Sequence, residues 1–262
     1  MNRALRTAAT GMYAQQLNVE LIAHNLANVN TTGFKKSRPE FQDLMYQTLK
    51  AASDTQDPNV QQPVEIQVGN GTLPVATERS FAQGDIQPTN NPLDVAIQGD
   101  GFIQVRRPDG SIAYTRDGSL KISGEGTLVT SQGYIIEPGL SLSSNTTSVS
   151  ISRDGAIEAT LVGESDASKV GQLELAKFVN PAGLRPIGNN LYIETTASGS
   201  PILGTAGSDG FGELQQGALE SSNVDVVEEM VSMIVAQRAY EINSKTVKTV
   251  EDMLSMANNL KR

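Results

Sequence analysis

Residues 221–260 read SSNVDVVEEMVSMIVAQRAYEINSKTVKTVEDMLSMANNL. Met233, Ala236, Tyr240, Asn243, Val247, Val250, Leu254 and Ala257 recur at alternating steps of three and four, which puts them on one stripe of an α-helix. Only Asn243 is polar on that seam. A second run, Val227, Val231, Ile234, Val235 and Ile242, makes another side of the same helix apolar. A helix apolar on two sides needs partners on two sides. At 1.5 Å per residue it would be roughly 60 Å long, more than a domain of this size needs across its core. Ser222 with Asp225 resembles a capping box, Glu228 and Glu229 suit the positive end of the helix dipole, and Glu241 is spaced to pair with Lys245.

Working outward, the other end of the chain carries a matching pattern. Leu5, Ala8, Met12, Gln15, Val19, Ile22, Leu26 and Val29 keep the three-four step and predict a helix over residues 2–29. Gln15 is its one polar member, as Asn243 is at the far end. Such residues either fix register within a buried seam or sit at its wet edge. The helix stops at Asn28-Val29-Asn30-Thr31-Thr32-Gly33, where Asn and Gly tolerate the left-handed backbone. Phe34 then offers an apolar anchor, followed by Lys35, Lys36 and Arg38.

Between the ends, residues 40–72 read as polar and irregular. Phe41, Leu44, Met45, Tyr46 and Leu49 give a short amphipathic patch, and residues 51–67, rich in Ser, Asp, Gln and Pro, suggest a linker or extended arm. From residue 73 to about 192 the pattern changes to short strands: 93–98, 102–105, 120–122, 127–130, 134–136, 149–153, 156–159, 173–178 and 191–194. Asp109-Gly110, Asp117-Gly118 and Asp154-Gly155 read as hairpin turns. No helical stretch is long enough for a βαβ unit. The expected fold class is α+β, with long N- and C-terminal helices packed as a coiled-coil-like pair and a central, mostly antiparallel β domain. The expected organisation is a helical assembly domain from residues 1–30 and 221–262, an arm over 31–72 and a β domain over 73–220.

Composition narrows the function. A chain of 262 residues with 38% hydrophobic content can bury a real core. The net charge of −9 and the absence of a basic stripe argue against nucleic acid. There is no cysteine, hence no disulfide or thiolate chemistry. No apolar run approaches the ~20 residues of a membrane span. No apolar h-region follows Arg3 and Arg6, so no signal peptide is expected. His24 is the only histidine, which leaves zinc without ligands and a catalytic triad without a nucleophile elbow. The Asp-Gly pairs lack calcium-loop spacing, and no P-loop is present. Glycosylation sequons at Asn30, Asn70 and Asn145 read as chance. No catalytic, cofactor or metal residues are assigned.

Three stretches carry a resemblance. Leu21-Ile22-Ala23-His24-Asn25-Leu26-Ala27-Asn28-Val29-Asn30-Thr31-Thr32-Gly33-Phe34 is similar to the N-terminal signature of the flagellar rod and hook axial proteins, His24 being a mild departure. Thr89-Asn90-Asn91-Pro92-Leu93-Asp94-Val95-Ala96-Ile97-Gln98-Gly99-Asp100-Gly101-Phe102 and Tyr114-Thr115-Arg116-Asp117-Gly118 resemble the family's central motif. Ser222-Asn223-Val224-Asp225 and Gln237-Arg238-Ala239-Tyr240-Glu241-Ile242-Asn243-Ser244-Lys245 resemble its C-terminal helix. Hook members are usually longer. Length and the Val75-Ala76-Thr77-Glu78-Arg79 stretch most resemble the distal-rod members, with proximal-rod members the competitors.

That resemblance implies a structural subunit, not an enzyme, that self-assembles head-to-tail in many helical copies into a hollow axle carrying torque from motor to hook. It implies other rod proteins, the hook protein and outer ring proteins as partners, and export through the flagellar type III apparatus to a rod crossing the periplasm. No cofactor, nucleic acid or membrane insertion is implied. Leu5, Met12, Gln15, Val19, Ile22, Leu26, Asn28, Gly33, Phe34, Met233, Tyr240, Asn243, Val247, Val250 and Leu254 are the expected subunit–subunit residues. The alternative reading is a periplasmic β-domain binding module that dimerises through its helices. A hydrolase with paired carboxylates has no supporting pair.

Overall fold

The computed structural model describes residues 2–50, 65–143, 145–162 and 167–260. The chain divides into two compact units, one of residues 1–26, 37–78 and 225–262, the other of residues 27–36 and 79–224. The fold class is α+β, as expected.

The first unit holds both long helices. Helix α1 spans Asn2–Ala27 and α2 spans Val226–Asn259. The expected start of α2 shifts inward: Asp225, not Ser222, is its N-cap, and the Asp225 carboxylate accepts the Val227 and Glu228 amides at 2.8 and 3.1 Å. Glu241 accepts from Arg238 at 2.9 Å rather than pairing with Lys245.

The same unit corrects the reading of residues 40–72 as irregular. The chain goes out along β1 (Ser37–Asp43) and β2 (Gln47–Lys50) and returns along β3 (Ile66–Val68) and β4 (Thr72–Arg79). Strand β1 pairs with β4, and β2 pairs antiparallel with β3, Gln47 opposite Val68. Phe41, Met45, Tyr46, Leu49, Ile66 and Val75 are exposed and only the first residues of β1 and β4 alternate between half-buried and exposed, so little in–out alternation marks the strands in the sequence. The Ser-, Asp- and Pro-rich residues 51–64 lie outside the described residues.

The second unit is the β domain. In chain order its strands are β5 (Ile86–Pro88), β6 (Val95–Gln98), β7 (Phe102–Arg106), β8 (Ile112–Thr115), β9 (Lys121–Ile122), β10 (Leu128–Val129), β11 (Ile135–Ile136), β12 (Thr146–Ile151), β13 (Ala156–Leu161), β14 (Ala167–Gln172), β15 (Glu174–Lys177), β16 (Arg185–Gly188), β17 (Leu191–Ile193), β18 (Ile202–Thr205), β19 (Glu213–Gln216) and β20 (Ala218–Glu220). A nine-stranded sheet runs β16-β17-β8-β7-β11-β10-β9, with β15 and then β18 joined alongside β7. Strands β12, β13 and β14 form a second sheet, while β6 pairs with β19 and β5 with β20. Ile97, Ile103, Leu128, Ile157, Leu173 and Leu175 are among the side chains that fill the core.

Two of the three Asp-Gly readings hold. Gly110 and Gly155 take left-handed backbone at the β7–β8 and β12–β13 turns. Asp117-Gly118 is not a hairpin. Gly118 presses on the backbone of Val95, whose carbonyl oxygen would lie 1.6 Å from an added Cβ, and accepts the Val95 amide at 3.0 Å. The glycine there permits close approach of two chain segments.

Candidate functional site

Two constructions stand out, one in each unit. In the helical unit, α1 and α2 meet at Gly11 and Asn243 and at Asn25 and Glu229, and of the two α1 residues neither lies on the expected α1 seam. Gly11 faces Asn243: a Cβ at Gly11 would lie 3.0 Å from the Asn243 amide nitrogen, so the missing side chain makes room for the polar member of the α2 seam. Asn25 and Glu229, both buried, meet at the other end. The Asn25 amide donates to Glu229 at 3.3 Å and to the Ser37 carbonyl at 2.9 Å, and its oxygen accepts the Ser37 N–H at 3.0 Å. One side chain thereby joins the end of α1 to the start of β1 and to the first turn of α2.

The expected assembly residues fall into groups. Ile22 and Val250 are buried, as are Gly33 and Phe34. Leu5, Met12, Gln15, Val19, Leu26, Asn28, Met233, Asn243, Val247 and Leu254 are half-buried, and Tyr240 is 42% exposed. The second apolar run of α2 is the wet one: Val227 is 71% exposed and Ile242 65%, with Val231, Ile234 and Val235 also exposed. A groove of about 350 Å³ beside this face is lined by Gln16, Val19, Glu20, Gln237, Tyr240 and Glu241.

In the β unit, the turn after α1 is locked by groups from distant parts of the chain. Gly33 has φ +66, and a Cβ there would lie 2.8 Å from the Arg116 backbone, so geometry and space both demand glycine. The Gly33 amide donates to the Glu220 carbonyl at 2.8 Å, and Asn190 donates to the Thr32 carbonyl at 3.1 Å. Lys35 is 0% exposed; its ammonium donates to Glu220 at 2.6 Å and to the Ala82 carbonyl at 2.7 Å. Glu220 also takes the Gly84 amide at 2.9 Å and the Arg116 guanidinium at 3.4 Å. Arg116 donates to the Gly99 carbonyl at 2.8 Å and stacks over Phe102 at 5.4 Å. Asn223 accepts the Lys36 amide at 2.8 Å and donates to the Ser80 and Ala82 carbonyls at 2.9 and 3.0 Å.

Two cations thus share one buried carboxylate. Burial pushes the Lys35 ammonium below its ordinary value; Glu220 opposes that shift and Arg116 adds to it. Burial likewise lowers Arg116, against the pull of Glu220. A cluster with this chemistry is a fastener. It presents no reacting group to a cleft, and among the described residues no three His, Cys, Asp or Glu side chains converge to hold a metal.

Lys35, Glu220, Asn25 and Glu229 were not singled out as site residues by the sequence. A signal existed for Glu229, which lies four residues before Met233 and so occupies the next position of the α2 seam. A carboxylate on an apolar seam implies a buried partner. Glu220 similarly alternates with the buried Ala218.

The description "Flagella basal body rod protein" belongs to a family model matching residues 5–35, which run through α1 to Lys35. "Flagellar hook protein FlgE/F/G D1 domain" matches residues 96–159, and "Flagellar basal body rod FlgEFG protein C-terminal" matches residues 215–260, which hold Glu220 and α2. The chain is 53% identical over 264 residues to the flagellar basal-body rod protein FlgG of Borreliella burgdorferi, with 100% of each chain covered. It is 46% identical to FlgG of Caulobacter vibrioides, with 99% of each covered, and 36% identical to FlgG of Bacillus subtilis, with 100% of each covered. Terminal helices, an intervening β unit and these matched segments define a structural component of the flagellar rod and hook axis. The chain belongs to the FlgG family of flagellar basal-body rod proteins, the distal-rod group. It is a structural subunit of the bacterial flagellar basal body and not an enzyme. No helix among the described residues is long and apolar enough to cross a membrane.

Proposed function

We propose that many copies of this chain join head-to-tail through their helical units into a hollow, rigid, helical axle that passes torque from motor to hook. The observation that carries this is the exposed apolar face of α2. Val227, Val231, Ile234, Val235 and Ile242 stay wet in the single chain, whereas most of the seam is buried or half-buried. Burying each would contribute about 2 kcal/mol, so association is favoured over a free subunit. Only a heterologous contact can propagate; an isologous one closes into a dimer.

On this reading residues 1–30 and 221–262 act as the assembly domain. The seam residues Leu5, Met12, Gln15, Val19, Ile22, Leu26, Met233, Tyr240, Asn243, Val247, Val250 and Leu254 form a coiled-coil-like pair that presents its outer side to neighbours. Asn28, Gly33 and Phe34 fix where the chain leaves the helix. Other rod proteins, the hook protein, ring proteins and the flagellar export apparatus are the partners such an axle requires. The arm over residues 45–71, with Met45, Tyr46, Leu49 and Ile66 exposed, adds contacts between subunits and stiffens the tube. Removing it is expected to leave filaments that form but bend; unchanged stiffness would assign the arm another role.

Light scattering and sedimentation across a concentration series test the assembly itself. Open-ended growth supports the axle, whereas a fixed dimer at every concentration supports a binding module that dimerises through its helices.

A further inference from the structure

Charge on the helical unit is sorted along its length. Gly11 lies against Asn243 and Asn25 bonds Glu229, so moving forward along α1 means moving back along α2, and the helices are antiparallel. Among the described residues of the two helices, one end therefore brings together Arg3, Arg6, Lys245 and Lys248, against Glu251 and Asp252. On the helices the other end holds Glu20, Asp225, Glu228, Glu229 and Glu241 against Arg238, while Arg38 of the adjoining β1 is paired with Glu78. By the same register α2 runs about two turns beyond the first residues of α1. That overhang exposes Met253, Met256 and Leu260.

We propose that the basic, methionine-bearing end of one copy's helical unit docks on the acidic, apolar-faced half of α2 in the next copy. The inference rests on the self-assembly reading above and adds to it the two surfaces and their polarity. The receiving surface is Val227, Val231, Ile234 and Val235, flanked by Glu20 and Glu241 at the groove between the helices. Exposed ion pairs contribute little singly, so the apolar contact supplies the affinity. The charges supply the direction. Two basic ends repel, as do two acidic ones, and only head-to-tail contact brings opposite signs together. The flexible thioethers of Met253 and Met256 suit a surface that packs against irregular apolar relief.

The test uses two charge-reversed full-length chains. The basic-end variant is Arg6→Glu with Lys248→Glu; the acidic-end variant is Glu20→Lys with Glu241→Lys. Growth is followed by light scattering, and helical content by circular dichroism. At about 50 mM salt each variant alone is expected to grow at least about tenfold more slowly than the parent chain. An equimolar mixture restores growth, because each variant's altered end then meets a partner of opposite sign. Either variant growing at the parental rate overturns the proposal, and so does a mixture as slow as its components while both stay helical. Should a reversed chain lose its helical signal, Arg6→Gln with Lys248→Gln replaces it. That chain's growth is expected to depend less on salt between about 50 and 500 mM than the parent's, and an unchanged dependence overturns the proposal. A parent chain that never grows would instead remove the self-assembly reading itself.

Discussion

The two units bury their polar and apolar groups in opposite ways. The β unit encloses a continuous aliphatic core and spends a buried carboxylate on two cations, Lys35 and Arg116, to fasten the turn after α1. The helical unit covers one seam in part, holds a buried polar junction at Asn25 and Glu229, and leaves a second apolar stripe in water. A sheet can satisfy its backbone and cover its side chains within one chain. Two antiparallel helices cannot, because each has an outward side and no third helix among the described residues covers it. On the proposed reading, the unfinished unit is the one through which a filament grows.

The largest expected effect strikes the unfinished face. Val231→Asp with Ile234→Asp puts two charges where an apolar contact is needed. It should abolish open-ended growth in sedimentation runs while leaving the thermal melting of the single chain close to that of the parent. A melting temperature that collapsed along with growth would show that the stripe serves the chain's own fold, and the contrast between the units would be lost.

Glu220→Ala probes the finished unit from the inside. It strands Lys35 and Arg116 in the interior without a carboxylate, and breaking buried pairs of this kind costs about 3–5 kcal/mol. Urea unfolding measures it. A loss under about 1 kcal/mol would mean that the three groups do not share the burial seen here.

Alkaline pH sharpens the same contrast. Burial, with a smaller push from Glu194, raises the Tyr114 hydroxyl from its ordinary 10.0 to about 12. The folded chain therefore holds a proton that the unfolded chain has released. The stability this contributes is present below pH 10 and is lost as pH rises toward 12. Lys35 acts in the opposite sense: its folded value is lowered, so between that value and the ordinary lysine value stability from this group rises with pH. Tyr114→Phe should flatten the decline of melting temperature above pH 10. An unaltered decline would remove Tyr114 as its cause.

In the helical unit, Asn25→Ala removes three hydrogen bonds and leaves the buried Glu229 without this partner, an expected loss of about 2 kcal/mol in denaturant unfolding. Gly11→Ala should be the smallest change. The helix gains about 1 kcal/mol of intrinsic propensity, which a shift of the Asn243 amide offsets, for a net effect within about 0.5 kcal/mol. A larger loss would mean that Asn243 is held more rigidly than its half-buried position suggests.

How much could be read without coordinates varied by element. Both helices, the wet second stripe of α2 and most core strands followed from periodicity, because one-sided burial writes a period of 3.6 or 2 into the chain. Strands β1 to β4 escaped that logic, since a hairpin that is mostly exposed carries little such period. Asp117-Gly118 misled because a tight turn and a close backbone approach both select glycine. Asp225 displaced Ser222 as the cap since both satisfy the composition rule and only backbone geometry separates them.

The amino-acid sequence by itself determined that this chain has a helix at each end, a β domain between, and more apolar helix surface than two helices can hide. Tertiary structure alone decided that Lys35, Arg116 and Glu220 meet, that Asn25 reaches Glu229, and that the charges of the helical unit separate toward opposite ends. The reason is physical. Periodicity records which side of an element is covered, a local property of consecutive residues. The pairing of groups 104 to 204 positions apart is recorded nowhere until the chain has closed on itself.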